Sequence, residues 1–195
     1  MKKDKTSKKY TKAEVTVSSV NESYGDGGVI FADIRVEFPE ISGCGAAETV
    51  NRFYAELRDR LCEYAAGHLR ELGESEFSSL GAGVARFRFR RYSLSHTFRV
   101  TWSDERYLSI LRTMRLTRGS KILSERSFGE VIDTARGRFV PPETFISRGA
   151  IRRTFAAEPR VKVNMSNKFN FYTDGCRIFF LFGGERSEMR SAELC

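Results

Sequence analysis

Residues 107–145 read YLSILRTMRLTRGSKILSERSFGEVIDTARGRFVPPETF, and this stretch decides the fold. Two runs rich in β-branched and apolar residues flank the turn Thr117-Arg118-Gly119-Ser120-Lys121, the composition of an antiparallel hairpin. A second turn, Asp133-Thr134-Ala135-Arg136-Gly137, leads into a third short strand. Pro141-Pro142 then delivers the chain into a helix expected over about 142–157. Proline suits a helix start because its missing N–H would be unpaired there anyway. The order of elements predicts a binding scaffold rather than an active site.

Working towards the N-terminus, the segment 84–102 alternates in the manner of a strand, but its phase slips. Phe87 and Phe89 are odd-numbered, whereas Tyr92, Leu94, His96, Phe98, Val100 and Trp102 are even. One extra residue at Arg90-Arg91, a β-bulge, would restore a single apolar face; a turn there is the alternative, though RFRFRRY lacks turn chemistry. Before it lies a small-residue connection, Gly73 to Gly83, and before that the strongest helical pattern in the chain. From Gly45 to Leu72, apolar residues recur at Ala46, Val50, Phe53, Leu57, Leu61, Tyr64, Ala65, Leu69 and Leu72, an amphipathic stripe with charges opposite. Gly73 is placed to end that helix. At the start of the chain, Ala13 to Tyr24 alternates, Gly25-Asp26-Gly27-Gly28 offers a hairpin turn, and Val29 to Phe38 returns until Pro39 stops it. At the other end, Lys168 to Tyr172 and Arg177 to Phe182 form a last hairpin around Thr173-Asp174-Gly175. The expected class is α+β: an antiparallel sheet, a long amphipathic helix over about 45–72 packed across it, and a shorter C-terminal helix over about 142–157.

The chain has 195 residues, 41% of them hydrophobic, with 16 Phe and 7 Tyr. That is ample for a packed core. One domain over 13–195 is expected, divisible into subdomains 13–83 and 84–195, after a disordered basic tail over 1–12. The net charge is +8, and the tail alone, with six Lys and one Asp, supplies +5 of it. Such an arm is ordinarily a solubilising extension, although it can engage nucleic acid or an anionic surface by counterion release. No apolar run approaches the roughly 18 residues of a membrane helix, and the first residues lack the apolar core of a signal peptide. A cytoplasmic location is expected for the chain as it stands, or an exported one if a leader has been removed. Cys44, Cys62, Cys176 and Cys195 fit free thiols.

Several chemistries find no support. The two histidines, His68 and His96, and cysteines separated by 18, 114 and 19 positions do not match structural zinc spacing. His96 falls on the apolar side of its strand and His68 on the apolar margin of the helix, where hydrogen-bonded core or boundary roles are expected. No G-x-S-x-G elbow occurs, and Ser95-His96 cannot act as a pair because strand neighbours point to opposite faces. Glu56, Asp59 and Glu63 interleave with Arg52 and Arg60, the pattern of helix-surface ion pairs. Gly43-Cys44-Gly45 lacks the Lys-Ser/Thr of a phosphate loop. No catalytic residue, metal site or cofactor is therefore expected.

One constellation suggests binding. Arg86, Arg88 and Arg90 would share a strand face that continues, across the bulge, through Ser93, Ser95, Thr97 and Arg99. With Arg118 and Lys121 from the hairpin turn, these cations are the candidate ligand-binding residues. Guanidinium groups in a row can grip phosphates or carboxylates two-pronged, or pair with acids on a neighbouring strand. The exposed aromatic partners of a single-strand nucleic-acid platform are not evident on that face.

Three segments together resemble one bacterial family. VEFPEISGCGAAETVNRFY (36–54) is similar to its opening signature, with a helix carrying Asn51. SERSFGEVIDTARGRFVPPETF (124–145) is similar to its central signature, and NFYTDGCRIFFLF (170–182) to its closing hairpin. In these segments the chain resembles the RsiV-like family of domains of unknown function, found in the lysozyme-sensing anti-sigma factor RsiV and beside the peptidoglycan deacetylase domain of PdaC. The likeness runs from Ala13 to Glu193. It implies an α+β fold, non-enzymatic in itself, that binds a protein or a cell-wall-related ligand. Where family members carry a Gly-Ala-His-type loop this chain has Thr117 to Lys121, and its closing segment is short and polar, so lysozyme sensing does not carry over. The leading expectation is a non-catalytic domain recognising a protein or an anionic cell-envelope ligand. A nucleic-acid-associated protein, acting through the Lys tail and the Arg row, is the alternative.

Overall fold

The structure is a computed structural model that describes residues 12–80, 85–156, 170–182 and 188–194. The expected tail over 1–12 lies, save for Lys12, outside them.

The chain opens with a long hairpin, β1 (Glu14–Asp26) and β2 (Val29–Ser42). Its turn uses the positive φ angles of Gly27 and Gly28, which residues with a Cβ rarely adopt. On β2, Ala32, Ile34, Val36 and Phe38 are buried and share one face, as alternation demands. Pro39 does not end the strand. It pairs with Val17 of β1, beyond the point where β2 has a second neighbour, so its missing N–H breaks no ladder there.

Across that apolar face lies the long helix, in two parts. Helix α1 (Ala47–Tyr64) passes through a π-helical turn, Ala65–Leu69, into α2 (Arg70–Ser79). The helix thus runs seven residues past Leu72, and Gly73 is not its end. A Cβ at Gly73 would come within 2.9 Å of Phe31, so this glycine lets the helix approach the sheet closely. The buried series Ala65, Leu69 and Gly73 continues the stripe of Val50 and Tyr54, while Tyr64 and Leu72 turn outward. Asn51 fastens the helix start to the strand end, its amide donating to the Ile41 carbonyl and accepting the Ile41 N–H, both at 2.8 Å.

The largest departure from expectation follows. Ala85–Arg88 forms a short helix, α3, and not a strand. The next strand, β3 (Tyr92–Ser103), begins only after Arg91, and its irregularity lies at Val100/Trp102 rather than at Arg90-Arg91. β3 also pairs parallel with β2, from Ala32↔Tyr92 to Val36↔His96. A parallel neighbour needs a crossover connection of a dozen or more residues, and the long helix supplies it. The sheet is therefore not wholly antiparallel.

From β3 onward the expected meander is present: β4 (Tyr107–Arg118), β5 (Lys121–Asp133) and the two-residue β6 (Arg138–Phe139). Strand order follows sequence order from β1 to β6. The Asp133 turn closes through its own carboxylate, which accepts the N–H groups of Ala135 and Arg136. The expected helix over 142–157 is broken. A single 3-10 turn, Pro142–Thr144, is followed by α4 (Arg148–Ala156), and residue 157 lies outside the described set.

A second, three-stranded sheet, β7 (Phe171–Thr173), β8 (Arg177–Phe182) and β9 (Glu188–Glu193), completes the described chain. It sits against the other face of the β4–β5 end, where Ser109 Oγ accepts the Thr173 N–H at 2.9 Å and Gly129 N–H donates to Asn170 Oδ1 at 2.9 Å. Two apolar clusters result. The larger lies between helix and sheet; the smaller gathers Val131, Val140, Ile146, Phe171, Ile178 and Phe180.

Candidate functional site

With the helix on one face and the small sheet over one end of the other, the remainder of that second face is open. Strand alternation fills it with the odd-numbered residues of β1, β2 and β3. β1 contributes Ser19, Asn21 and Ser23, and β2 contributes Asp33, Arg35 and Glu37. Ser93, Ser95, Thr97 and Arg99 come from β3. Register aligns them: Asn21 stands opposite Arg35 and Ser23 opposite Asp33, while on the far side Asp33 faces Ser93 and Arg35 faces Ser95. Here the surface dips into a cleft of about 410 Å³, whose lining includes Asn21, Glu22, Asp33, Arg35, Arg91 and Ser95.

Two guanidinium groups sit in that cleft with different partners. Arg91 Nε reaches Asp33 Oδ2 at 2.6 Å, an ion pair. Arg35 Nε donates to the neutral Asn21 Oδ1 at 3.2 Å, and among the described residues Arg35 makes no ion pair. Its hydrogen-bond partner is neutral, while the carboxylates of Glu22 and Asp33 line the same cleft. Hydroxyls and an amide around it supply donors and acceptors for the rest of a polar ligand.

The residues singled out from sequence are partly brought together, though not as a strand row. Arg86 and Arg88 lie in α3. Arg90 follows it and turns one guanidinium nitrogen onto the carbonyls of Phe87 and Phe89, both at 2.9 Å. The β4–β5 turn folds over Arg90: Gly119 N–H donates to the Arg91 carbonyl at 3.0 Å, and a Cβ on Gly119 would meet the Arg90 side chain at 3.0 Å. Lys121 is exposed just past that turn. Arg90, Lys121 and the Arg91–Arg35 cleft therefore share one end of the sheet. Arg118 points to the helix side instead, where its Nη2 meets Glu76 Oε2 at 2.7 Å. Glu76 also accepts the Tyr92 hydroxyl at 2.6 Å, and burial together with that carboxylate pushes the phenol up to about 12. Arg99 is on the open face and exposed, but seven residues along β3 from Tyr92, roughly 23 Å at strand rise.

A second polar cluster lies inside, beneath the helix. Arg112 Nε and Nη2 donate to the two oxygens of Glu130 at 2.8 and 3.0 Å. Tyr54 donates its hydroxyl to Glu130 Oε1, and Arg112 Nη1 lies 3.3 Å from His96 Nε2. His96 Nδ1 is 2.9 Å from the Glu37 carbonyl, and its ring stacks on Phe38 at 4.2 Å. A carbonyl only accepts and a guanidinium only donates, so Nδ1 carries the proton and Nε2 is bare. Burial lowers the His96 pKa to about 4. Burial and the Glu130 carboxylate raise Tyr54 well above the usual phenol range. This is the hydrogen-bonded core histidine expected at 96, with partners the sequence did not announce. His68, by contrast, is exposed and stacks against Tyr64. Among the described residues, no three His, Cys, Asp or Glu side chains gather as a metal site would need.

The missed cleft residues had a faint signal. Asp33 and Arg35 occupy the polar phase of β2, but only the parallel register with β3 reveals that Ser93 and Ser95 stand beside them. Arg112 and Glu130 had a clearer one: each is a charge on the apolar phase of its strand, of opposite sign, in adjacent hairpin strands.

The architecture has known counterparts. A solved structure of a DUF3298 family member from Bacteroides fragilis NCTC 9343 superposes with a TM-score of 0.66, at 11% identity, over 96% of this chain and 92% of that one. The chain has a DUF3298-like fold. A second structure, a DUF3298 family protein from Pseudomonas aeruginosa PAO1, is similar over 93% of this chain and 89% of its own, with a TM-score of 0.49 and 8% identity. No family model matches the sequence, and no curated protein does. The fold is consistent with the RsiV-like resemblance at the level of a bacterial domain of unknown function. Among the described residues no helix is long and apolar enough to cross a membrane.

Proposed function

We propose that this chain is a non-catalytic binding domain whose open sheet face takes an anionic, hydroxyl-bearing ligand of the cell envelope, or the acidic surface of a partner protein. The observation that carries this reading is Arg35, a cation fixed in a polar cleft by a neutral amide and flanked by Arg91, Ser93 and Ser95. A carboxylate or phosphate entering there replaces water on Arg35 with a charge-assisted bond. The absence of catalysis is part of the proposal. Its support is that two of the titratable groups with displaced pKa values on the helix side, His96 and Tyr54, are locked neutral inside the core rather than aimed at solvent.

The test is retention on heparin, used as a polyanionic sugar probe, over a salt gradient. Arg35→Ser should weaken binding about ten- to hundredfold, the worth of one charge-assisted hydrogen bond, and Arg99→Ser should change it little. Equal retention of wild type and Arg35→Ser would rule the cleft out as the binding site.

One observation favours a second reading. Phe87 is 83% exposed, one position before the exposed Arg88 and close to Arg90. An aromatic ring between cations is a stacking platform for single-stranded nucleic acid. Binding of oligo-dT that Phe87→Ser abolishes and Arg35→Ser leaves intact would favour that reading.

A further inference from the structure

The sheet has two edges, and they are protected differently. Along β5 the free edge carries Lys121, Glu125 and Arg126, and its far end is covered by β6 and β7. β1 is paired on one side only, with β2, in unbroken register from Glu14 to Tyr24. Among the described residues, no strand pairs with its other side. Its run Val15-Thr16-Val17-Ser18-Ser19-Val20-Asn21 contains no charge and no proline, and Val17 is 62% exposed. Proteins blunt such edges with lysine, proline or bulges because unpaired N–H and C=O groups recruit another strand. None of these devices occurs between Val15 and Asn21; the bulge comes later, at Tyr24/Gly25.

We propose that β1 is a self-association edge, pairing antiparallel with β1 of a second copy to make one continuous sheet. The charges at the ends of the run choose the occupant and the register. Lys12 is exposed at one end, and Glu22 is exposed at the other. Antiparallel pairing about Val17 sets Val17 against Val17 of the second copy and Lys12 against its Glu22, twice over by symmetry. A two-residue slip, centred on Ser18, would instead oppose Glu14 and Glu22, both acidic, which is unfavourable for directly facing residues. A one-residue slip would set open-face residues of one copy against helix-face residues of the other. The Val17 register keeps both long helices on one side of the joined sheet and both clefts on the other. Isologous pairing about a two-fold axis is the commonest route to a homo-oligomer.

The experiment is light-scattering mass measurement across a concentration series, with circular dichroism as the fold control. The wild-type chain, 22.2 kDa as a monomer, should approach twice that mass. Val17→Lys, at an exposed position, should shift it to the monomer with an unchanged spectrum. Lys12→Glu and Glu22→Lys should each weaken association at least tenfold, and the double swap should restore it. Arg126→Glu, on the opposite edge, should leave the mass unchanged. A wild type that stays monomeric at every concentration overturns the proposal, as does a dimer indifferent to Val17→Lys and to both single charge changes.

Discussion

Arg112 and Glu130 join neighbouring strands diagonally as a two-pronged ion pair, 2.8 and 3.0 Å, with both side chains about 90% buried beneath the long helix. The Phe128 ring lies 5.3 Å from the guanidinium carbon. Two charges taken out of water are compensated here by geometry and by the extra bonds from Tyr54 and to His96.

Removing one member strands the other. Arg112→Met leaves Glu130 buried without its cation and should cost about 3–5 kcal/mol, whereas Arg112→Met with Glu130→Leu should recover most of that loss. Urea denaturation of the three proteins measures it. A single variant as stable as wild type would show that the pair does not hold the helix side together.

His96 makes stability depend on pH in one direction. Its pKa is about 4 in the folded chain and about 6.5 unfolded, so between these values the unfolded chain binds more protons. Stability is full above about pH 6.5 and falls as the pH drops towards 4, by about 3 kcal/mol in all. Protonation would put a second cation against Arg112, whose Nε and Nη2 are already turned to Glu130. Denaturation midpoints across this window should slope for wild type and flatten for His96→Gln. Parallel slopes would contradict the assignment.

Gly129 is where the small sheet meets the large one. A Cβ there would fall 2.4 Å from the Phe171 carbonyl carbon, backbone that cannot swing aside. Gly129→Ala should cost at least about 1–3 kcal/mol through overpacking and act locally. Amide exchange should speed up in β7 and β8 while β2 and β3 keep their protection. Uniform loss of protection would mean that the two sheets unfold as one unit.

The interior and the open face differ in how far they can be read from sequence. Period and turn chemistry are local, so the β1–β2 hairpin, the β4–β5 hairpin, the Asp133 turn and the amphipathic helix are legible as elements, although β2 runs past Pro39 and the helix past Gly73. Pairing between distant strands is not local. The parallel β2–β3 junction follows from the crossover helix, and nothing between Ala32 and Tyr92 encodes it as a pattern. The segment RFRFRRY misled because alternation over four residues fits a strand as well as a helical turn; α3 takes Ala85–Arg88, and the strand waits until Tyr92. Without a strand over Arg86 to Arg90 there is no arginine row. The cleft was hidden for the complementary reason: Arg35 looks like any polar-phase residue until β3 sets Ser95 beside it.

The binding face is tested most directly by amide chemical-shift mapping of the labelled protein during titration with a heparin oligosaccharide. If the β1–β2–β3 cleft is the site, the largest shifts fall at Asn21, Asp33, Arg35, Ser93 and Ser95, and they vanish in Arg35→Ser. Shifts confined to α1 and α2, or a pattern unchanged in Arg35→Ser, would place the ligand elsewhere.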